Sequence, residues 1–150
     1  MISYTQRSDR ATVLARELRT SLQTRGCSTW LDVDMQDKSE AAMQEAVQNS
    51  SCVLAVITGD GPDDPNAYLN RDFCRSELRW AFAAEKHLQP VVHMDDKKRI
   101  GEFIAMAPED FDGMNLQELI GSKDFVDLNM SDMDYWQVGL DKILARVPGL

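Results

Sequence analysis

The sequence has no apolar run near the ~18 residues needed to cross a bilayer. Its first residues, Met1-Ile2-Ser3-Tyr4, also lack the basic and apolar segments of a secretory signal. Neither a membrane span nor secretion is therefore expected. Cysteine is scarce: Cys27, Cys52 and Cys74 are odd in number, widely spaced and unaccompanied by CxxC pairs or His-rich tracts. This argues against a disulfide framework and a zinc site, and for reduced thiols in a cytoplasmic protein. Positive charge is in short supply too, with 16 Lys and Arg against 25 Asp and Glu and a formal net charge of −9. Such a field repels phosphate backbones and anionic lipid, so neither nucleic-acid binding nor membrane insertion is expected. A small anionic ligand would require a local exception.

What is present fits one folded unit. The 150 residues are 43% hydrophobic and 27% charged, enough to bury a core without disulfide or metal. A single domain over residues 1–150 is expected, and its abrupt start within an apolar run reads as if it were cut from a longer protein.

Met1 to Tyr4 predicts a first strand. Leu14, Leu18 and Leu22 recur at helical spacing between Asp9 and Arg25, with Gly26 placed to end the helix. Ser28 to Leu31 predicts a short second strand ending at Asp32, followed by a polar loop over 33–38. Asp37 with Glu40 has the spacing of a capping box for a helix to about Asn49. Cys52 to Thr58 is an unbroken, β-branched-rich apolar run, as in a strand buried on both faces of a parallel sheet. Residues 59–66 are dense in turn formers. A helix over 71–86, a strand over 90–93, a short helix over 100–107, a fifth strand over 125–128 and a closing helix over 134–146 complete the pattern. This alternation predicts an α/β, flavodoxin-like fold: a five-stranded parallel sheet of order 2-1-3-4-5, helices on both faces, ligands outside the carboxyl ends of the strands.

Two families of that architecture fit poorly. A response-regulator receiver needs an acidic pair after strand one and a phosphoacceptor Asp closing strand three, where this chain has Thr5-Gln6 and Thr58. A flavodoxin needs a Ser/Thr/Gly-rich phosphate loop where this chain has Gln6-Arg7-Ser8-Asp9.

Four blocks in order point elsewhere. They are Ile2-Ser3-Tyr4, Trp30-Leu31-Asp32, Ala46-Val47-Gln48-Asn49-Ser50 followed by Cys52 to Thr58, and Phe73-Cys74-Arg75-Ser76-Glu77-Leu78 followed by Gln89-Pro90-Val91. Across nearly its whole length the chain resembles the Toll/interleukin-1 receptor (TIR) domain. The last block is similar to the W-C-x-x-E-L passage of plant and enzymatic animal members. The family's BB loop, which falls at Val33 to Glu40, here lacks the usual glycine and following aromatic, and Thr5-Gln6 stands where the animal enzyme has Arg-Arg.

The resemblance implies one of two roles. The first is an NAD+ glycohydrolase or ADP-ribosyl cyclase, cleaving the nicotinamide–ribose bond of NAD+ in signalling of the immune or cell-death type. The second is a non-catalytic scaffold that signals by TIR–TIR self-association. NAD+ is then a substrate, with no prosthetic group, and further TIR domains are the expected partners. For the enzyme the resemblance implies Glu77 as catalytic residue, in a cleft lined by Tyr4, Thr5, Asp32, Phe73 and Cys74, with Phe73 in the place of the family's Trp.

The residues themselves also mark Glu77 as unusual. On a helical wheel Arg75, Arg79 and Lys86 share one side and Glu77 points nearly opposite, its neighbours one turn away being Phe73, Cys74, Trp80 and Ala81. No basic residue stands three or four positions away, so a helix-surface ion pair does not account for it. A carboxylate in an apolar arc is costly unless it lines a solvated cleft, which is the expectation here. Loss of the cationic nicotinamide leaves an oxocarbenium-like ribose, which such a carboxylate stabilises as in glycosidases. His93, Asp95 and Asp96 read as a strand end and polar turn rather than a metal site, and Lys97-Lys98-Arg99 as a solvated face.

Overall fold

The computed structural model describes residues 1–32 and 39–147. Four strands, β1 (Ile2–Ser3), β2 (Cys52–Val56), β3 (His87–His93) and β4 (Val126–Leu128), form one parallel sheet in the order β1-β2-β3-β4. Six α-helices are described: α1 (Asp9–Thr24), α2 (Glu40–Gln48), α3 (Asp72–Ala83), α4 (Ile100–Met106), α5 (Leu116–Gly121) and α6 (Met133–Arg146). No described helix is long and apolar enough to cross a membrane.

The expected second strand at 28–31 is corrected, so that four strands are described where five were expected. Only Leu31 pairs, as a single bridge to Ile2 on the outer side of β1, supported by the Ile2 amide donating to the Trp30 carbonyl at 3.1 Å. The reason is local. Gly26, at φ +86°, turns the chain out of α1, the Cys27 amide returns to the Leu22 carbonyl at 2.9 Å, and Asp32 already leaves extended geometry. Too few residues remain to build a ladder. With that bridge counted outside β1, the succession of segments across the sheet follows the expected order, its outermost member reduced to one residue.

Helix starts follow their caps. Ser8 Oγ accepts from the Ala11 amide at 3.2 Å, and Ser39 Oγ from the Ala42 amide at 3.2 Å. Ser39 is therefore the N-cap of α2; Asp37 and the loop over 33–38 lie outside the described residues. The strand expected from Pro90 begins at His87, because α3 ends at Ala83 and Glu85 takes a left-handed φ of +55° that turns the chain early. α5, capped by Asn115, was not anticipated, because six residues are too few to show a helical period.

Alternation along the strands sorts the core into two. Ile2, Leu54, Val56, Val91, Val126 and Leu128 meet Leu14, Leu18 and Leu22 of α1 and Trp136, Leu140 and Ile143 of α6. Val53, Ala55, Ile57, Leu88 and Val92 meet Met43 and Val47 of α2, Leu78 and Ala81 of α3, and Phe103 of α4. Each fully buried Leu, Val or Phe contributes about 1.5–3 kcal/mol. α6 sits close because Gly139 has no side chain: a Cβ there would lie 2.3 Å from Leu128 Cδ2.

Candidate functional site

Period-two alternation in β1 decides the site's floor. Ile2 turns toward α1 and α6, so Ser3 turns to the other face, where the turn Tyr68–Asn70 and α3 pack. There Ser3 Oγ lies 2.7 Å from Tyr68 Oη and donates to Glu77 Oε1 at 3.3 Å. All three residues are buried, Glu77 at 1% exposure, and Glu77 Oε2 has no hydrogen-bond partner among the described residues. Burial, and after it the negative charge of Asp32, push the Glu77 carboxyl well above the usual carboxylate range; the Ser3 bond opposes this. The neutral form of Glu77 is thereby favoured in this conformation. The same burial pushes the Tyr68 hydroxyl and the Cys74 thiol up.

Above this floor, past the carboxyl end of β1, is a cavity of about 350 Å³. Tyr4, Thr5, Asp32, Phe73 and Cys74 all line it, so the structure brings together the five residues expected around the cleft. Glu77 does not line it. The expectation of a solvated cleft at Glu77 is thus corrected: the carboxyl faces the sheet and Ser3, one helical turn beyond Phe73 and Cys74. Helix α3 explains the arrangement. Its amphipathic face buries Cys74, Glu77, Leu78 and Ala81, which carries position 77 inward with its apolar neighbours.

The remaining wall comes from Gln6, Arg7, Met43 and Arg71. Gln6 Nε2 donates to Asp32 Oδ2 at 2.5 Å and ties the loop after β1 to Asp32. Phe73 is half-buried, its ring set edge-on to Trp80 at 6.1 Å between centroids and 90° between planes. The thiol of Cys74, kept protonated, is no nucleophile in this state.

Six residues of this neighbourhood escaped the reading of the sequence: Ser3, Gln6, Arg7, Met43, Tyr68 and Arg71. Ser3 had a signal, its strand register opposite Ile2. Arg7 and Arg71 had only their charge in an acidic chain. Tyr68 sits in a turn after a turn-rich loop, and nothing local placed it against β1.

His93 serves the strand end, its Nδ1 accepting from the Asp95 amide at 3.1 Å. Asp96, 3% exposed, lies 3.3 Å from both Arg10 Nη1 and Arg99 Nη1. Among the described residues no three His, Cys, Asp or Glu side chains could hold a metal ion.

Compared with known families, residues 1–143 match the family model described as the TIR domain. No curated protein matches the chain.

Proposed function

We propose, from the premise that the chain belongs to the TIR domain family, that it cleaves the nicotinamide–ribose bond of NAD+, as a glycohydrolase or ADP-ribosyl cyclase in signalling, with Glu77 as the catalytic carboxylate. The observation that carries this reading is Glu77 itself. It is a buried carboxyl with one unpartnered oxygen, one helical turn from Phe73 and Cys74, which line a cavity at the carboxyl end of β1.

The chemistry follows from the environment. Burial and Asp32 favour the protonated form of Glu77. A nicotinamide ring brings a positive charge against that carboxyl, which stabilises its ionised form, so substrate binding drives the proton from Glu77 to solvent water and leaves the catalytic anion. The carboxylate turns from Ser3 toward the cavity about its own side-chain bonds. As the glycosidic bond lengthens, positive charge passes from the ring to the ribose, and an anion about 4 Å away contributes roughly 4 kcal/mol at an effective dielectric near 20. That corresponds to on the order of 10³ in rate. Phe73 stacks on the nicotinamide, while Tyr4, Thr5 and Asp32 hold the ribose hydroxyls. Cys74 packs as a small neutral side chain. Water or an adenine nitrogen then captures the ribosyl cation, giving a linear or a cyclic product.

The 1% exposure of Glu77 favours a second reading, a scaffold that signals through contacts with its own copies or other TIR domains, with Glu77 as a structural acid bonded to Ser3. Nicotinamide release separates the two. The protein, concentrated or under crowding so that assemblies form, is incubated with NAD+. Turnover is expected, falling about a thousandfold in Glu77→Ala with the fold intact. No release from assembled protein, or release unchanged in the variant, overturns the enzymatic reading; co-assembly with another TIR domain without release establishes the scaffold.

A further inference from the structure

Resting on the NAD+ reading above, we propose that Arg7 and Arg71 clamp the diphosphate of the dinucleotide, supplying from two other positions the positive charge that is missing at Thr5-Gln6.

A chain of net charge −9 binds a diphosphate only where cations are gathered and free. The cavity of about 350 Å³ meets both conditions: it is lined by Arg7, from the loop after β1, and by Arg71, the N-cap residue of α3. Its one lining carboxylate, Asp32, accepts from Gln6. Neither arginine is within 4.0 Å of a carboxylate among the described residues. Arg10 pairs with Asp95 and Asp96, Arg25 with Asp141, Arg75 with Asp72, and Arg99 with Asp96 and Glu102. Two free guanidinium groups from different elements on one cavity match a bridging phosphate pair, since each fork binds phosphate oxygens bidentately.

A second observation points to the same place. Among the described residues, Thr5 Oγ1, in that cavity's wall, is buried and has no hydrogen-bond partner, nor has Thr58 Oγ1. Leaving a buried hydroxyl unpaired costs roughly 1–3 kcal/mol, which a ligand oxygen removes. Thr58 lines a neighbouring cavity of about 210 Å³ that shares Arg7 as a wall. Thr5 follows β1 and Thr58 follows β2, and between those strands the chain's progress across the sheet reverses, given Leu31 on the outer side of β1. Such a switch point, at the carboxyl ends, is where open α/β sheets bind nucleotides. Two cavities meeting at one arginine suit a ligand made of two nucleosides joined by a diphosphate. The smaller cavity contains Asp60 and Asp64, which repel phosphate and accept from ribose hydroxyls. The phosphates therefore sit at Arg7, toward Arg71 rather than toward Asp60.

The test uses ADP, which carries the diphosphate without nicotinamide, and adenosine, which lacks it, titrated by calorimetry into the whole chain. ADP is expected to bind at least tenfold more tightly than adenosine, and Arg7→Ala and Arg71→Ala each to weaken ADP about tenfold while leaving adenosine unchanged. Lys142→Ala, on α6, leaves both unchanged. Equal binding of ADP and adenosine, no binding of ADP by the parent, or parental ADP affinity in both arginine variants overturns the clamp. An unchanged thermal midpoint shows that the variants are folded. Failure of the two readings is distinguishable: arginine-dependent ADP binding without nicotinamide release sinks the enzyme and keeps the clamp. Nicotinamide release with the KM for NAD+ unaltered in both arginine variants sinks the clamp and keeps the enzyme.

Discussion

The two faces of the sheet are built from the same strands but bury different chemistry. Toward α1 and α6, β1 and β2 contribute Ile2, Leu54 and Val56, and the helices answer with Leu14, Leu18, Leu22, Leu140 and Ile143. Toward α2 and α3, the same two strands place Ser3, Val53 and Ala55, and the answering side chains include Tyr68 and Glu77. The first face gains apolar burial at every position. The second accepts a buried acid whose Oε2 is unpartnered, a state that costs free energy and so marks the face on which chemistry is worth seeking. Both sides of the sheet bury an apolar core, and only one of them also carries a buried acid.

Three substitutions break or sharpen that comparison. The largest effect on folding belongs to the apolar face: Leu18→Ala leaves a cavity among fully buried neighbours and is expected to cost about 2–5 kcal/mol in denaturant unfolding. A loss below 1 kcal/mol would mean that this face is not the stabilising one. Nicotinamide release per folded molecule should stay unchanged.

On the other face Glu77→Gln is expected to stabilise. The folded carboxyl binds its proton more tightly than the unfolded one, so the parent loses stability as pH rises from the ordinary carboxylate value toward the raised one, and below that window the penalty is absent. The glutamine variant should lose this slope and become the more stable protein at neutral pH. Thermal midpoints of both proteins, followed as the pH rises from the ordinary carboxylate value, check the sign; a parent that gains stability relative to the variant would contradict the raised pKa of Glu77.

The smallest change is Ser3→Ala. Losing the two hydrogen bonds of the hydroxyl, to Tyr68 and to Glu77, costs about 1 kcal/mol of stability each. Losing the bond that favours ionised Glu77 raises its pKa further, so the acid limb of the nicotinamide-release profile should move to higher pH. Ser3→Thr, which keeps the hydroxyl, should restore it. A profile unmoved in the alanine variant would leave Ser3 with a packing role alone.

Much of this contrast was legible in the sequence, and the rest was hidden for physical reasons. The unbroken run from Cys52 announced the central strand because burial on both faces leaves no polar position to interrupt it. The inward position of Glu77 was legible because a helix imposes one period on all its residues. The extent of its burial was not, because the depth of a cleft is set by Ser3 and Tyr68, 74 and nine positions away, and not by the helix. The second strand failed for a different reason. Trp30-Leu31 has strand composition, but pairing depends on where Gly26 and Asp32 turn the chain, and only Leu31 was left in reach of Ile2. The clustering of Tyr4, Thr5, Asp32, Phe73 and Cys74 around one cavity was expected from motif order, whereas the two free arginines beside them required the map of ion pairs.

The edge-on contact of Phe73 with Trp80 has an optical consequence. Trp80 is 5% exposed, so its indole is shielded from bulk solvent, and one ring away Phe73 forms part of the cavity wall. A ligand stacking on Phe73 changes the asymmetric field around a rigid chromophore without touching it. Near-ultraviolet circular dichroism, with Trp80→Phe to assign the band among the chain's three tryptophans, thus reads cavity occupancy directly. The domain carries its own spectroscopic gauge, independent of any turnover.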